Sequence, residues 1–291
     1  MHSRCASGTG SRCALRRSYR RLTIVDSKAS RDADLARYYD LDLFTDPADL
    51  ALYGRLASEA RGPILELAVG SGRIAVPLAA AGYDVTGVDK DAAMLDRARA
   101  RWAGSAKAGR GSLTLIEHDL TTLALPRRFG LVFVALNSLL LLTGRAIQER
   151  ALKVMRRHLA PGGRAVVDVW LPTHEDLALY DGREVLEWVR TDPETGARVA
   201  KTSAARYDAG SNTANLSTTF DAEHDGRQAR TTREDTIFFL GKDELVALTA
   251  SAGLEPEAIG GDYDMGLWSE TSERVVMICR GDLLTTPASA A

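Results

Sequence analysis

"LELAVGSGRIAVPLAAAGYDVTGVDK", residues Leu65 to Lys90, reads as three elements in succession. Ile64 to Val69 is a short apolar run preceded by Gly62-Pro63, the pattern of a buried strand. Gly70-Ser71-Gly72-Arg73-Ile74-Ala75 then fits G-x-G-x-x-A, in which glycines let a backbone approach a ligand at a helix N-terminus. Ile74 to Ala81 follows as a helix closed by Gly82, and Asp84 to Val88 as a second strand ending at Asp89. Strand, glycine turn, helix and strand in so short a stretch form a βαβ unit, which predicts a parallel sheet.

The pattern continues on both sides. Asp46-Pro47 has the N-cap and first-turn residues of a helix that carries Leu50, Tyr53, Leu56 and Ala57 at helical spacing. Downstream, Ala92 to Trp102 reads as a helix, Leu113 to Ile116 and Leu131 to Leu136 as strands, Ala146 to Leu159 as a helix closed by Pro161-Gly162-Gly163, and Ala165 to Trp170 as a fifth strand. Such sheets are covered on both faces and bind ligands beyond the carboxyl ends of their strands.

Beyond Trp170 about 70 residues precede the next helical pattern, too long for a structureless loop. "EVLEWVRT", "ARVAKTSAARYD", "TANLSTTFDAEH" and "RTTREDTIFFL" alternate as strands do and are separated by Asp-Pro-Glu-Thr-Gly, Ala-Gly-Ser-Asn and Asp-Gly. They predict a small antiparallel sheet over 184–240, inserted into a main domain of 26–183 and 241–283. The latter part returns with a helix at Lys242 to Ser251 and strands at Glu255 to Ile259 and Arg274 to Cys279.

Composition narrows the function. A chain that is 45% hydrophobic and 26% charged, with no apolar run of roughly 18 residues, reads as soluble and globular rather than membrane-spanning. Residues 1–25 hold six arginines and no acid, so the body is more acidic than the overall formal charge of −2, which argues against a nucleic-acid partner. That basic segment reads as a disordered tail; its Arg- and Ser-rich character is shared by transit peptides, but it has no apolar core for secretion, so a cytoplasmic location is expected. Cys5, Cys13 and Cys279 form no C-x-x-C, and H-E-x-x-H is absent, so neither a disulfide framework nor a metal site is expected.

The glycine motif alone does not choose among nicotinamide, flavin and sulfonium cofactors, and Asp89 as a ribose acid is common to the main readings. Glu66 does discriminate, because it gives E-x-A-x-G-x-G. A site for a pyrophosphate avoids a carboxylate there, whereas a ligand with an ammonium and a sulfonium accommodates it. Glu117-His118-Asp119-Leu120 ends the third strand with an acid and an apolar residue suited to an adenine, and Leu159-Ala160-Pro161-Gly162-Gly163 precedes the fifth.

With these residues in place, the stretch from Tyr38 to Trp170 resembles the class I S-adenosylmethionine-dependent methyltransferases. The inserted hairpins and the final "GDYD…SERVVMIC" resemble bacterial small-molecule members, including sugar and glycine-type N-methyltransferases. The resemblance implies a Rossmann-like α/β fold, a seven-stranded sheet with helices on both faces plus the inserted sheet on the acceptor side. It implies S-adenosylmethionine as cofactor, held by Glu66, Ala68, Gly70, Gly72, Arg73, Asp89, Lys90, Met94, Asp119, Leu120 and Asn137. Glu66 would orient the methionine amine, Asp89 the ribose and Asp119 the adenine, while Tyr38, Tyr39 and Asp40 would lie on a lid helix. The acceptor would be a small molecule and the assembly a monomer or homodimer. Ala68 departs from the family's first glycine, and Phe129-Gly130 from its usual Phe-Asp.

Each residue also has a plainer reading. Glu66 could pair with Arg73, Asp119 and Asn137 could cap turns, His174 could be a surface residue, and Trp170, Tyr263 and Trp268 could be core. Tyr39, Asn137 and His174 are the catalytic candidates, but no constellation compels a base, which favours an amine acceptor over a hydroxyl. Asn137-Ser138-Leu139-Leu140 lacks the Asn/Asp-Pro-Pro-Tyr of amino-base methylation. An NAD(P)-dependent oxidoreductase and a non-catalytic cofactor-binding or interaction domain stay open as alternatives.

Overall fold

The computed structural model describes residues 28–42, 49–105 and 111–281. The elements are α1 (Lys28–Asp42), α2 (Leu50–Glu59), β1 (Ile64–Leu67), α3 (Ala75–Ala80), β2 (Asp84–Asp89), α4 (Ala92–Gly104), β3 (Ser112–Glu117), β4 (Phe129–Val134), a 3-10 turn (Ser138–Leu141), α5 (Arg145–His158), β5 (Leu159–Trp170), α6 (His174–Ala178), β6 (Asp181–Thr191), β7 (Arg198–Asp208), β8 (Thr213–His224), β9 (Arg227–Phe238), α7 (Lys242–Ser251), β10 (Leu254–Gly260) and β11 (Arg274–Gly281).

Seven strands form one sheet in the order β10-β11-β5-β4-β1-β2-β3, and only β11 runs against its neighbours. The order reverses beside β1, which pairs with β2 on one side and β4 on the other. Alternation along β1 sends its side chains to two cores. Ile64 packs with Leu52, Tyr53, Leu78 and Leu95 under α2, α3 and α4, and Leu65 and Leu67 pack with Leu152, Met155 and Leu245 under α5 and α7. Both faces are therefore covered, and the crevice at the carboxyl ends of β1 and β4 is where such a sheet takes a ligand.

β6 to β9 form a separate four-stranded antiparallel meander. Helix α1 joins it to the main sheet. Tyr38 stacks on Phe220 at 4.8 Å between ring centroids and shares a small core with Leu41, Ala197 and Val199. Asp42 accepts from Trp188 Nε1 at 2.7 Å and from Lys201 Nζ at 2.6 Å. The other side of α1 is tied to the main domain by Asp40, which accepts from Ser71 Oγ (2.5 Å), Arg97 Nε (2.5 Å) and an Arg101 nitrogen (2.8 Å).

Two local expectations are corrected. The fourth strand ends at Val134 instead of running to Leu136, because Leu136 and Asn137 turn left-handed at φ 50° and 62°. The fifth begins at Leu159, with Pro161-Gly162-Gly163 inside it. Pairing shifts from Phe129 opposite Leu159 to Leu131 opposite Arg164, and a Cβ on Gly163 would lie 2.9 Å from the Phe129 carbonyl oxygen. Close approach to β4 explains the glycine there, not helix termination. His174 opens the short helix α6, capped by Thr173. The Asp46-Pro47 cap, the basic tail, Cys5 and Cys13 lie outside the described residues. Among the described residues Cys279 is buried and free, no acid, His or Cys cluster is placed to hold a metal, and no helix is long and apolar enough to cross a membrane.

Candidate active site

The loop after β1 turns through three left-handed residues, Ala68 (φ 57°), Gly70 (φ 54°) and Gly72 (φ 76°). The two glycines do different things. A Cβ on Gly72 would come 2.9 Å from Val76 Cγ2 and 3.1 Å from Ala98 Cβ, so this glycine seats the loop on α3 and α4. A Cβ on Gly70 would meet nothing within 4 Å, so this peptide faces open space at the mouth of the crevice. Ala68 adopts the same left-handed conformation with a side chain, which costs about 1–2 kcal/mol. Ala68→Gly should therefore stabilise the protein by about 0.5–1 kcal/mol after the glycine's extra unfolded-state entropy is subtracted. A urea titration checks this; an unchanged midpoint would show that the loop relaxes around Ala68.

Glu66 sits one turn of chain earlier, 4% exposed, on the face that carries α2 and α3. Arg73, its expected alternative partner, instead makes a two-pronged pair with Asp49 at 2.7 and 2.5 Å. Glu66 faces the Ala75 amide, and among the described residues no hydrogen-bond partner reaches its Oε2. Burial pushes its carboxyl well above the ordinary range, Arg73 opposes that shift, and Asp49 and Asp89 add to it. A buried carboxyl oxygen left unpaired is costly unless a ligand completes it.

Asp89 ends β2 and reaches back to the loop: Oδ2 accepts the Gly70 amide at 2.8 Å and Oδ1 the Asp91 amide at 3.0 Å. Each oxygen keeps lone-pair capacity for a further donor such as a ribose hydroxyl. Asp89→Ala is thus expected to act twice. It should weaken cofactor binding by about 1.5–3 kcal/mol and lower the stability of the free protein by about 1 kcal/mol, since the Gly70 amide loses its acceptor. Calorimetric titration and thermal melting separate the two; an unchanged dissociation constant would remove Asp89 from the ribose role.

Lys90 is exposed beside Asp89 and lines a cleft of about 1140 Å³ with Asp40, Asp91, Arg97, Glu117 and Glu194. Met94 is buried in α4, and Leu120 is half-buried against the core. Asp119 is exposed; its Oδ1 holds the Thr121 amide (2.8 Å) and hydroxyl (2.7 Å), bonds that keep its pKa low. It caps its turn with one oxygen and leaves the other free. Asn137 spends its Oδ1 on the Trp170 amide at 2.6 Å, pinning the left-handed turn to the end of β5. His174 is exposed. Tyr39 is half-buried on α1, next to the Asp40 that holds Ser71 of the glycine loop; desolvation raises its pKa, the charge of Arg73 lowers it, and Glu66 and Asp40 raise it. Trp170 lies between Phe239 (5.9 Å) and Tyr180 (6.5 Å), on the side where the second sheet meets the first.

Several contributors were missed by sequence reasoning. Asp49 looks like a helix-capping residue but makes no cap bond and holds Arg73 instead. Asp40 was noted only as part of a lid, yet it is the point where α1, α4 and the loop join. Arg233 of β9, whose charge also reaches Tyr39, carries no local signal at all.

The unpaired Glu66 oxygen, the open space at Gly70 and the spare acceptor capacity of Asp89 fit a ligand with a cationic amine and a ribose. Comparison with known proteins agrees. Residues 64–163 match the family described as Methyltransferase domain. A dTDP-3-amino-3,6-dideoxy-alpha-D-glucopyranose N,N-dimethyltransferase from Streptomyces fradiae is 30% identical over 150 residues, 49% of this chain; the match spans only about half of that relative, 56%. The CcbJ methyltransferase from Streptomyces caelestis superposes with a TM-score of 0.69 at 26% identity, covering 81% of this chain and 90% of that one. The sugar N-methyltransferase KedS8 from Streptoalloteichus shares the fold, with a TM-score of 0.66 at 21% identity over 97% and 100% of the two chains. The fold and the crevice define a Rossmann-like α/β domain with a ligand-sized crevice at the carboxyl ends of β1 and β4. More specifically, residues 64–163 carry a methyltransferase domain, on a fold shared with the CcbJ methyltransferase.

Proposed function

We propose that this chain transfers a methyl group from S-adenosylmethionine to the amine of a small polar acceptor, with sugar amines the first class to test. The observation that carries the reading is Glu66, a buried acid with an unpaired oxygen beside a glycine loop open at Gly70. The sugar-amine relative from Streptomyces fradiae supports the acceptor class. Glu66 would take the methionine ammonium, Asp89 the ribose hydroxyls, Asp119 and Leu120 the adenine, and Gly70 and Gly72 the close backbone approach. Arg73, locked to Asp49, would shape the loop from behind. Helix α1, latched by Asp40, would cover the crevice and exclude water.

When bound, the cofactor supplies a methyl group already activated on a sulfonium, so this chain's task is to place an acceptor lone pair in line with it. None of the three catalytic candidates is built as a strong base. Asn137 is committed to Trp170, His174 lies on the exposed start of α6, and burial pushes the Tyr39 phenol upward. That set suits an amine, which attacks in its neutral form and releases its proton afterwards, better than a hydroxyl, which needs a poised base. The enzyme would act in the cytoplasm.

Calorimetric titration with S-adenosylmethionine, S-adenosylhomocysteine and NAD, followed by transfer of a labelled methyl group to a panel of amines and alcohols, tests the reading. Binding of the two sulfur compounds and labelling of amines are expected. Tight NAD binding without either of them would sink it.

A further inference from the structure

We propose that the inner face of the four-stranded sheet recognises hydroxyl groups of the acceptor through Ser203, Arg233 and Asp235. The assignment rests on the methyl-transfer reading and concerns the other half of the same site. Strand alternation and register define the face. Lys201, Phe220 and Thr231 form one row across β7, β8 and β9; Ser203, Thr218 and Arg233 form the next; Ala205, Leu216 and Asp235 the one after. Helix α1 covers the first row, with Tyr38 on Phe220 and Asp42 on Lys201. The second row keeps Ser203 and Thr218 buried but leaves Arg233 half-exposed, and the third row, Ala205, Leu216 and Asp235, is half-exposed throughout.

Two observations give these rows a ligand. Ser203 is only 9% exposed, and its hydroxyl has no hydrogen-bond partner among the described residues. Arg233 and Asp235, two apart on β9 and hence on one face, make a two-pronged pair: Nε to Oδ2 at 2.7 Å and the second nitrogen to Oδ1 at 2.8 Å. Such a pair has cancelled its own charge, so it is a poor anion trap. It keeps unused guanidinium hydrogens and carboxylate lone pairs side by side, the donor-and-acceptor edge that a hydroxylated ring can match. Ser203 adds a group that both donates and accepts. An aromatic or aliphatic acceptor would leave the Ser203 hydroxyl and the spare donors and acceptors of the Arg233–Asp235 pair unmatched.

The rows also point at the reacting end. The charge of Arg233 lowers the pKa of Tyr39, the same phenol that feels Arg73 and Glu66. β9 packs against both α1 and the 3-10 turn that follows β4. Arg233 thus lies on the strand that α1 packs against, within reach of the charge field around Tyr39.

The test uses the full chain saturated with S-adenosylhomocysteine and two ring amines, 3-amino-3-deoxyglucose and cyclohexylamine, which lacks the hydroxyls. The wild-type protein should bind the amino sugar at least about tenfold more tightly. Ser203→Ala and Arg233→Gln should each reduce that preference by roughly three- to tenfold while S-adenosylhomocysteine affinity, the check on folding, stays unchanged. Equal binding of the two amines by the wild-type protein, or variants that lower both amines alike, would overturn the assignment. Methyl transfer from S-adenosylmethionine is measured in parallel. Labelling of both amines with no preference refutes the hydroxyl recognition alone. No labelling of any amine refutes the parent reading.

Discussion

Glu66→Gln should weaken S-adenosylmethionine binding by about 2–5 kcal/mol, the usual cost of removing one partner of a buried charge pair, without destabilising the free protein. The second half of that expectation follows from burial. Glu66 is 4% exposed with an unpaired Oε2, and its carboxyl titrates well above its ordinary range, chiefly through desolvation. The nearest cation, Arg73, is held by Asp49, which pushes Glu66 further up. The folded chain therefore keeps a proton here that the unfolded chain releases. Stability is fully present below the unfolded carboxylate pKa and is lost as pH rises toward the folded one. Glutamine removes that loss, so the variant should gain on the wild type as pH rises. Cofactor binding has the opposite dependence. An ammonium stabilises the ionised carboxylate, so binding should expel the proton and affinity should rise with pH through the folded-state pKa of Glu66. Calorimetry in buffers of different ionisation heat reads the proton directly. The same dissociation constant and proton release in wild type and Glu66→Gln would show that the amine lies elsewhere.

What could be read before the structure was what lies within one element or one turn. The glycine loop, Asp89 and the buried strands are stated by neighbouring residues, and β8 occupies Thr213–His224, the stretch delimited by its flanking turn residues. Errors arose wherever local signals competed with distant ones. Arg73 lies seven positions from Glu66, yet it pairs with Asp49, 24 positions away and placed alongside by α2. Asp40 gathers donors 31, 57 and 61 residues distant, and no periodicity carries that. β4 was read too long because its apolar run continues through Ala135 and Leu136, while the left-handed turn at Leu136 and Asn137 has no glycine to announce it. Pro161-Gly162-Gly163 has the composition of a break but sits inside β5, where the bulged pairing with β4 leaves no room for a side chain at Gly163 and Gly162 turns left-handed. The acceptor face depends on register between strands, so Ser203 and Arg233 could not be brought together from sequence spacing.

Asp168→Ala should be among the most destabilising substitutions in the chain, at about 3–5 kcal/mol, because it strips the acceptor from a buried polar network. Asp168 sits in the apolar strand β5 with no exposed surface, near the carboxyl end where a catalytic acid would be sought. Its surroundings argue for a different role. Oδ2 accepts from Tyr53 Oη at 2.7 Å and the Leu136 amide at 3.2 Å; Oδ1 accepts from Tyr263 Oη at 3.1 Å and Arg274 at 3.3 Å. Arg274 also donates to Tyr263 Oη at 2.7 Å. Desolvation raises the carboxyl's pKa, and these donors oppose the rise. With four donors on two oxygens, little lone-pair capacity is left for a substrate proton. The carboxylate instead fixes three separate pieces of chain: α2 through Tyr53, the segment between β10 and β11 through Tyr263, and the left-handed turn that brings Asn137 to Trp170. Asp168→Asn preserves the shape but turns one acceptor into a donor facing other donors, so it should cost about 1–3 kcal/mol. At a temperature where it remains folded, kcat should stay within several-fold of wild type. Urea unfolding of both variants beside single-turnover methyl transfer distinguishes the two roles: a stable Asp168→Asn protein with no turnover would make Asp168 a catalytic residue, whereas activity that follows the folded fraction makes it the anchor of the site.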